Sequence, residues 1–419
     1  MAKILSIIPY EFYPPKYGGA LRCFHILREM AKEHEVTLLT VQSLQDFNRK
    51  TEPSFPDNIK VVSTSDEPGY RSVFNIFPER IANAINSRLL KRSLFVLGNL
   101  YLLRTYPVLK QLLRENEFHL VNYESMDSFA LLQKHVRRLS PKTLQLYDAH
   151  NVDSTLWNQF RRFDRNAALK KYANDALSME KRFHSTLDLC FTCSEADKKK
   201  LDDLNKGRLF VKVIPNGVDC AARPFVENVD KAGIRNLLFC GTLDYAPNTE
   251  GILWFYKTVF PVLKQRFPEL TLTIIGKMNQ PGPYQDLVND SSVHFVGPVD
   301  DVRPYYVASS VFIVPLFSGS GTRLKILEAA SMGNPVVSTT IGAEGLVLEN
   351  GRHIRIADEP QEFAVCVSEL LLNKEIFNEQ RHCAHTLVRQ KYDWSVIGQA
   401  INREINNLLY LNSKKIAVL

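Results

Sequence analysis

Short, continuously apolar runs separated by longer amphipathic stretches set the strongest constraint on how this chain can fold. Runs of strand length occur at 3–8, 35–41, 118–123, 143–147, 188–193 and 210–214. A second series follows at 236–240, 270–275, 293–296, 311–315, 335–338 and 353–356. Many of these runs do not alternate apolar with polar residues, the pattern of parallel strands covered on both faces. Helical patterns lie between them at 19–32, 127–138, 195–204, 248–267, 322–332 and 359–372. The β-α-β rhythm occurs twice. It predicts an α/β chain of two Rossmann-like, doubly wound parallel-sheet domains.

The stretch 214–235 is polar, holds Pro215, Gly217, Pro224 and Gly233, and lacks a strong period, so it marks the join. The expected domains are 1–214 and 215–394, with a final helix at 395–412 packing back on the first. A chain of 419 residues can bury large cores without disulfides or a structural metal. Open α/β sheets bind ligands at the carboxyl ends of their strands, so two such domains predict a cleft between those ends.

Composition narrows the class. Apolar residues make up 45% and charged residues 23%, which argues against disorder, collagen and coiled coil. The seven scattered cysteines fit a reducing compartment. Cys190 and Cys193 have redox spacing but fall in an apolar strand-like run, where residues three apart face opposite sides. The apolar run at 4–8 is too short for a signal peptide, and the run at 94–103 is too short to span a bilayer. A cytoplasmic chain is expected.

Candidate site residues cluster where strands give way to helices. Gly18 and Gly19 follow the first strand, where backbone can approach an anion at a helix N-terminus. The spacing is not that of a dinucleotide fingerprint. His150 follows the fourth run and can donate to a phosphate or sugar hydroxyl; the alternative is a loop histidine beside a helix capped through Asp153. In the second half, Gly241 and Thr242 lead to a helix with Asn248 as its expected N-cap. Gly276 and Lys277 end a later strand with a glycine and a cation. The most informative segment is Gly319-Ser320-Gly321-Thr322, whose amides can face a phosphate while Arg323 and Lys325 neutralise it. Glu328 lies at i+3 from Lys325, and its carboxylate can accept from ribose hydroxyls. The alternative there is an ordinary helix start with a surface Lys–Glu pair.

In their order and spacing, these residues resemble the GT-B superfamily of retaining glycosyltransferases, in the family-4-like branch that builds surface polysaccharides and glycolipids. The strongest part runs from 237 to 346. It contains Gly-Thr-Leu-Asp-Tyr-Ala-Pro-Asn, Asp-Val-Arg-Pro-Tyr, Gly-Ser-Gly-Thr-Arg-Leu-Lys-Ile-Leu-Glu and Gly-Ala-Glu-Gly-Leu. The Gly-Gly loop, the His-Asn-Val segment, Cys193-Ser194-Glu195-Ala196-Asp197 and Pro215-Asn216-Gly217-Val218-Asp219 also match. The resemblance implies that Glu328 holds the donor ribose and that Gly18 and Gly19 approach phosphates or acceptor. It places His150 near the transferred sugar and gives Gly297, Pro298 and Val299 to the nucleotide base. The chain departs from the family at Ser320, where an earlier glutamate is usual, and at Asp244 and Asn248, where many members carry Arg and Lys. These departures leave the contact to the transferred sugar open.

The expected activity is retaining transfer from a nucleotide-diphosphate sugar to a polysaccharide, oligosaccharide or lipid-linked acceptor. Arg323, Lys325, the 319–322 amides and Lys277 would stabilise the departing diphosphate. The resemblance implies no carboxylate nucleophile, because the leaving phosphate can take the acceptor's proton. Neither an Asp-x-Asp loop nor zinc-ligand spacing is present in the sequence, so no metal and no cofactor are expected. The alternatives are a nucleotide-sugar epimerase of the same fold and a catalytically silent scaffold at a membrane assembly.

The formal net charge is +7, too small over this length for a dedicated nucleic-acid binder. Its location matters more. The segment 70–114 holds eight cations, Arg71, Arg80, Arg88, Lys91, Arg92, Arg104, Lys110 and Arg114, and one acid, Glu79. That segment equals the whole excess and marks the expected contact with an anionic membrane or an acidic acceptor; the alternative is a helical pair packed on the domain with solvated charges.

Overall fold

The computed structural model describes residues 1–48, 53–66, 100–160, 167–227, 230–279, 282–319 and 321–417. The chain divides into two compact units, one of residues 1–215 with 398–419 and one of residues 216–397.

In the first unit, seven strands form one parallel sheet. They are β1 (Lys3–Ile8), β2 (Glu35–Thr40), β3 (Lys60–Ser63), β4 (Leu120–Tyr123), β5 (Leu144–Ala149), β6 (Leu189–Thr192) and β7 (Val211–Val213). Their order is β3-β2-β1-β4-β5-β6-β7. Winding reverses between β1 and β4, which is where a doubly wound sheet opens a crevice, at the carboxyl ends of those two strands. Helices cover both faces, which is why β4 and β5 are buried along their whole length. Leu5, Ile7, Val121, Tyr147 and Cys190 pack in one core from four of the strands. Truncating such a side chain to alanine costs about 2–5 kcal/mol. The helix Trp394–Ala417 closes this unit from residue 398 onward. Asn402 donates through Nδ2 to the Glu29 carbonyl at 3.0 Å, and a Cβ on Gly398 would fall 2.3 Å from Glu29 Oε2.

The second unit carries six parallel strands: β8 (Asn236–Cys240), β9 (Thr271–Ile275), β10 (Val293–Gly297), β11 (Val311–Val314), β12 (Val336–Ser338) and β13 (Arg355–Ile356). Their order, β10-β9-β8-β11-β12-β13, puts the switch point between β8 and β11. Two apolar clusters fill the two faces of this sheet. Trp394 is fully buried, and its amide donates to the Val218 carbonyl at 3.2 Å, which ties the end of this unit to its beginning.

The doubly wound parallel architecture follows the apolar pattern closely, with three differences. The edge strand β3 gave no signal, because only Val61 and Val62 lie between Lys60 and Ser63 and an edge strand needs less burial. The helices Asp153–Phe160, Ala167–Glu180 and Lys374–Lys391 were not anticipated. The single helix expected at 248–267 is three pieces: Ala246–Trp254, a π-helical turn Phe255–Val259, and Phe260–Arg266. Pro261 enters the last piece at its first turn; it has no amide to donate, so the ladder changes register before it. Of the basic segment 70–114, residues 70–99 lie outside the described residues, and the helix Leu100–Glu115 is its described part. Among the described residues no helix is long and apolar enough to cross a membrane.

Candidate active site

Each unit gathers polar side chains at its own switch point. In the first, the helix Gly18–Met30 starts where the loop after β1 ends, so Gly18 and Gly19 are its first residues. The loop is held from below: Gln42 Oε1 accepts from the amides of Phe12 at 3.2 Å and Tyr13 at 3.1 Å. The same helix carries Arg22 and Cys23 one turn further in. β4 delivers Glu124, and β5 delivers Asp148 and then His150.

These residues form one buried network. Arg22 grips Asp148 with two bonds, Nε to Oδ2 at 2.7 Å and Nη2 to Oδ1 at 2.5 Å. Its Nη1 donates to the Ile214 carbonyl at 2.9 Å. His150 Nε2 lies 3.1 Å from Glu124 Oε2 and 3.4 Å from Asp148 Oδ2. Asn122 Nδ2 donates to the other Glu124 oxygen at 2.6 Å. A Cβ on Gly19 would sit 3.4 Å from His150 Nδ1, so the helix start lies against the imidazole. Burial opposes the charge on Asp148, yet Arg22 and His150 hold its carboxyl well below the usual range. Burial also opposes the imidazolium, but the hydrogen bonds to Asp148 and Glu124 favour it, and His150 is raised well above its ordinary value. These partners favour the imidazolium, which would donate to Glu124. Burial, then the charge of Glu124, pushes the Cys23 thiol up to about 11. Cys23 Sγ, Glu124 Oε2 and His150 Nε2 lie within 4.8 Å of one another, close enough to share a metal ion. In this structure they contact one another, Cys23 Sγ at 3.5 Å and His150 Nε2 at 3.1 Å from Glu124 Oε2. Cys190 and Cys193 are both buried and unbridged; the Cys193 thiol donates to the His150 carbonyl at 3.3 Å.

Beside His150 a cavity is walled by the helix Asp153–Phe160 and its neighbour. Burial and the nearby Glu180 push Asp153 up to about 7, although the Tyr147 hydroxyl donates to it at 3.0 Å. A carboxyl whose folded pKa is raised opposes folding where it must ionise. That cost is absent below the ordinary carboxylate range and grows until pH passes about 7. We expect the melting temperature of Asp153→Asn, relative to the parent, to rise between pH 5 and pH 8. A difference that is flat with pH would refute the assignment.

In the second unit, Gly241 and Gly276 touch through backbone. Gly276 has φ +152°, and a Cβ there would lie 1.9 Å from the Gly241 carbonyl oxygen. A Cβ on Gly241 would in turn strike Asn248 Nδ2 at 2.8 Å and Lys325 Nζ at 2.9 Å. Asn248 is not the N-cap the sequence led us to expect. Tyr245 holds that position without a side-chain bond. Asn248 instead donates to the Thr242 carbonyl at 2.9 Å and accepts from Lys325 Nζ at 3.2 Å. It steers a cation rather than capping a helix.

Lys325 also lies over the Phe239 ring at 4.9 Å. Burial, and less so Arg323, lowers its ammonium to about 8. Arg323 donates from Nη1 to the Gly321 carbonyl at 2.6 Å. Gly319 has φ +111° and meets Arg323 Nη2 at 3.1 Å from its would-be Cβ, so only glycine lets the loop close over this guanidinium. Thr322 Oγ1 is buried and finds no hydrogen-bond partner among the described residues. Ser320 lies outside the described residues. Glu328, on the helix Leu324–Ser331, accepts from Arg223 Nη2 at 2.9 Å rather than from Lys325. Lys277 is exposed, and Val299 is half-buried next to Gly297 (φ +83°).

Gly241, Thr242, Asn248, Gly276, Gly319, Gly321, Thr322, Arg323 and Lys325 thus converge at the β8/β11 switch, and Glu328 follows them on its helix. Arg22, Asp148, Glu124, Cys23 and Arg223 had not been singled out. Asp148 and Asn122 did carry a signal, since each is a polar residue inside an otherwise apolar strand at the switch.

Residues 17–222 match the family described as Glycosyltransferase Family 4, and residues 234–373 match Glycosyl transferases group 1. Together they span more than four-fifths of the chain. An uncharacterised 44.6 kDa protein in the cps region of Klebsiella pneumoniae is 24% identical over 96% of this chain and 100% of its own length. The phosphatidyl-myo-inositol mannosyltransferase of Mycobacterium tuberculosis is 27% identical over 45% of this chain, which corresponds to 52% of that protein. Among solved structures, HepE of Anabaena in complex with UDP-glucose superposes with a TM-score of 0.64 at 15% identity, covering 97% of this chain and 100% of that one.

Proposed function

Because the chain belongs to the glycosyltransferases, with a family 4 domain followed by a group 1 domain on two parallel sheets of GT-B type, we propose that it is a retaining, metal-independent enzyme. It would move a sugar from a nucleotide-diphosphate sugar to a polysaccharide, oligosaccharide or lipid-linked acceptor. The observation that carries this reading is the pair Arg323 and Lys325 at the β8/β11 switch, set beside a glycine loop whose buried Thr322 hydroxyl has no hydrogen-bond partner among the described residues. A diphosphate brings the acceptor oxygens that such a loop lacks.

As the bond from the anomeric carbon to the diphosphate breaks, negative charge gathers on the leaving phosphate. Lys325, steered by Asn248, and Arg323 are fixed in advance to receive it. Glu328, oriented by Arg223, accepts from the donor's ribose hydroxyls. In the first unit, the His150 imidazolium, backed by Glu124 and Asp148, donates to a sugar hydroxyl. Retention follows if the leaving phosphate takes the acceptor's proton on the face it departs from, which requires no carboxylate nucleophile. The lack of an Asp-x-Asp loop and of zinc-ligand spacing in the sequence favours a reaction without metal. The phosphatidyl-myo-inositol mannosyltransferase of M. tuberculosis and the cps-region relative of K. pneumoniae favour a glycolipid or a polysaccharide as product. The eight cations of 70–114 support contact with an anionic bilayer.

Glu328→Ala tests the donor assignment. Losing a carboxylate that bonds ribose should raise the donor KM by about 10–100-fold, with a smaller effect on donors lacking a ribose hydroxyl. The measurement is product mass spectrometry across a nucleotide-sugar panel, with a lipid extract as acceptor. Unchanged transfer by the variant would sink the assignment.

A further inference from the structure

We propose that Cys23, Glu124 and His150 form a binding site for one zinc-class divalent ion, and that occupancy of this site inhibits the enzyme. The ion is an inhibitor and takes no part in transfer, which stays metal-independent. The inhibition rests on the transferase reading; the binding does not. Sequence spacing gives no sign of the site, since Cys23 and His150 stand 101 and 26 positions from Glu124. The helix Gly18–Met30, the end of β4 and the residue after β5 bring the three together.

The distances fit such an ion. Zinc binds sulfur at about 2.3 Å and nitrogen or oxygen at about 2.0–2.1 Å. A tetrahedron with those arms has S···N and S···O edges of about 3.5 Å and an N···O edge of about 3.3 Å. Cys23 Sγ lies 3.9 Å from His150 Nε2 and 3.5 Å from Glu124 Oε2, and His150 Nε2 lies 3.1 Å from Glu124 Oε2. The three atoms already span one face of the tetrahedron, and the S···N edge has only to close by about 0.4 Å. Tyr10, Glu124 and His150 line a cavity of about 380 Å³, which admits the ion and the water that completes its shell.

The surroundings fit as well. Glu124 Oε1 accepts from Asn122 Nδ2 at 2.6 Å, the kind of outer bond that orients a ligating carboxylate. The Tyr10 hydroxyl stands 3.2 Å from Cys23 Sγ, placed to donate to a thiolate. Charge also balances. The thiol proton and the proton between His150 and Glu124 leave to water as the divalent ion enters. Two positive charges replace two, so the buried Arg22–Asp148 pair meets no new net charge. A thiolate and an imidazole select zinc or cobalt over magnesium and calcium, which take oxygen ligands. With Nε2 on the metal, His150 loses its imidazolium, and with it the charge proposed above to serve the sugar.

The test uses the full-length protein stripped of metal. Co²⁺ is titrated as an optical probe of the thiolate, and Zn²⁺ against a chelating indicator. One ion per chain is expected, with a thiolate-to-cobalt charge-transfer band. Cys23→Ala should abolish the band and weaken Zn²⁺ by about 100-fold, and Glu124→Gln should weaken it by about 10–100-fold. Cys383→Ser, on the helix Lys374–Lys391 of the second unit, should keep both band and affinity. Thermal melting without metal checks that each variant is folded, and Cys23→Ser, which keeps the volume, replaces Cys23→Ala if the latter is not. Saturating Zn²⁺ should lower transfer by the parent about 100-fold, and EDTA should restore it. No binding by the parent, an unchanged band in the Cys23 variant, or full transfer by the zinc-loaded protein would each overturn the proposal. Absence of transfer by the metal-free parent with every donor defeats the transferase reading instead, and the titrations still decide the binding site.

Discussion

Alanine at both Arg323 and Lys325 is expected to lower kcat/KM for the nucleotide-sugar donor by about three orders of magnitude, with little change in thermal stability. Removing one fixed donor that faces a developing oxyanion typically costs about 100–1,000-fold. Two that serve the same leaving group do not add fully, because loss of the first already spoils the charge match. Stability should hold because Lys325 is an ammonium kept below its ordinary value by burial, so its removal relieves desolvation as it deletes the bond to Asn248. The pH dependence gives a second readout. Burial brings Lys325 to about 8, so donor kcat/KM in the parent enzyme should fall as pH rises through 8 and the ammonium is lost. That quantity reports groups of the free enzyme. Lys325→Arg should move the falling limb out of range, since a guanidinium stays charged. Full activity in the double alanine variant would leave the β8/β11 loop without its assigned role.

Arg22→Met should cost the folded protein about 3–5 kcal/mol. Arg22 and Asp148 have side chains 1% and 0% exposed, so the substitution strands a carboxylate where water cannot reach it. The sign with pH distinguishes this from simple loss of packing. In the parent, Asp148 sits below the ordinary carboxylate range, and its contribution is present at neutral pH and fades only in acid. In the variant the penalty is the reverse: small in acid, where Asp148 can be protonated, and growing toward neutrality. Denaturant unfolding at pH 4.5 and pH 7.5 reads the difference. Arg22→Met with Asp148→Leu should recover much of the loss, since it removes both charges together. A single variant within about 1 kcal/mol of the parent at pH 7.5 would show that the pair does not hold the β1/β4 switch together.

The sheets were legible because parallel strands covered on both faces must be apolar throughout, as in Leu237–Phe239 and Phe312–Val314. The glycine loops were legible because a strand-to-helix turn at a switch point needs small residues. β3 was not, because an edge strand of four residues can be stable with two valines. Asn248 was misread as a cap because an asparagine before an apolar run is usually one, and its actual partner, Lys325, is 77 positions away. For Glu328 the alternative to a ribose contact was a surface pair with Lys325, which helix spacing allows; its observed partner is Arg223, from the segment preceding β8. The sequence by itself determined most of the strands and the turns where glycine lets the chain leave a strand, because those follow from local periodicity and backbone sterics. Only the tertiary structure decided which charge pairs with which. Arg22 and Asp148 are 126 residues apart, and the shifts of His150 and Lys325 arise only once distant side chains have closed around them.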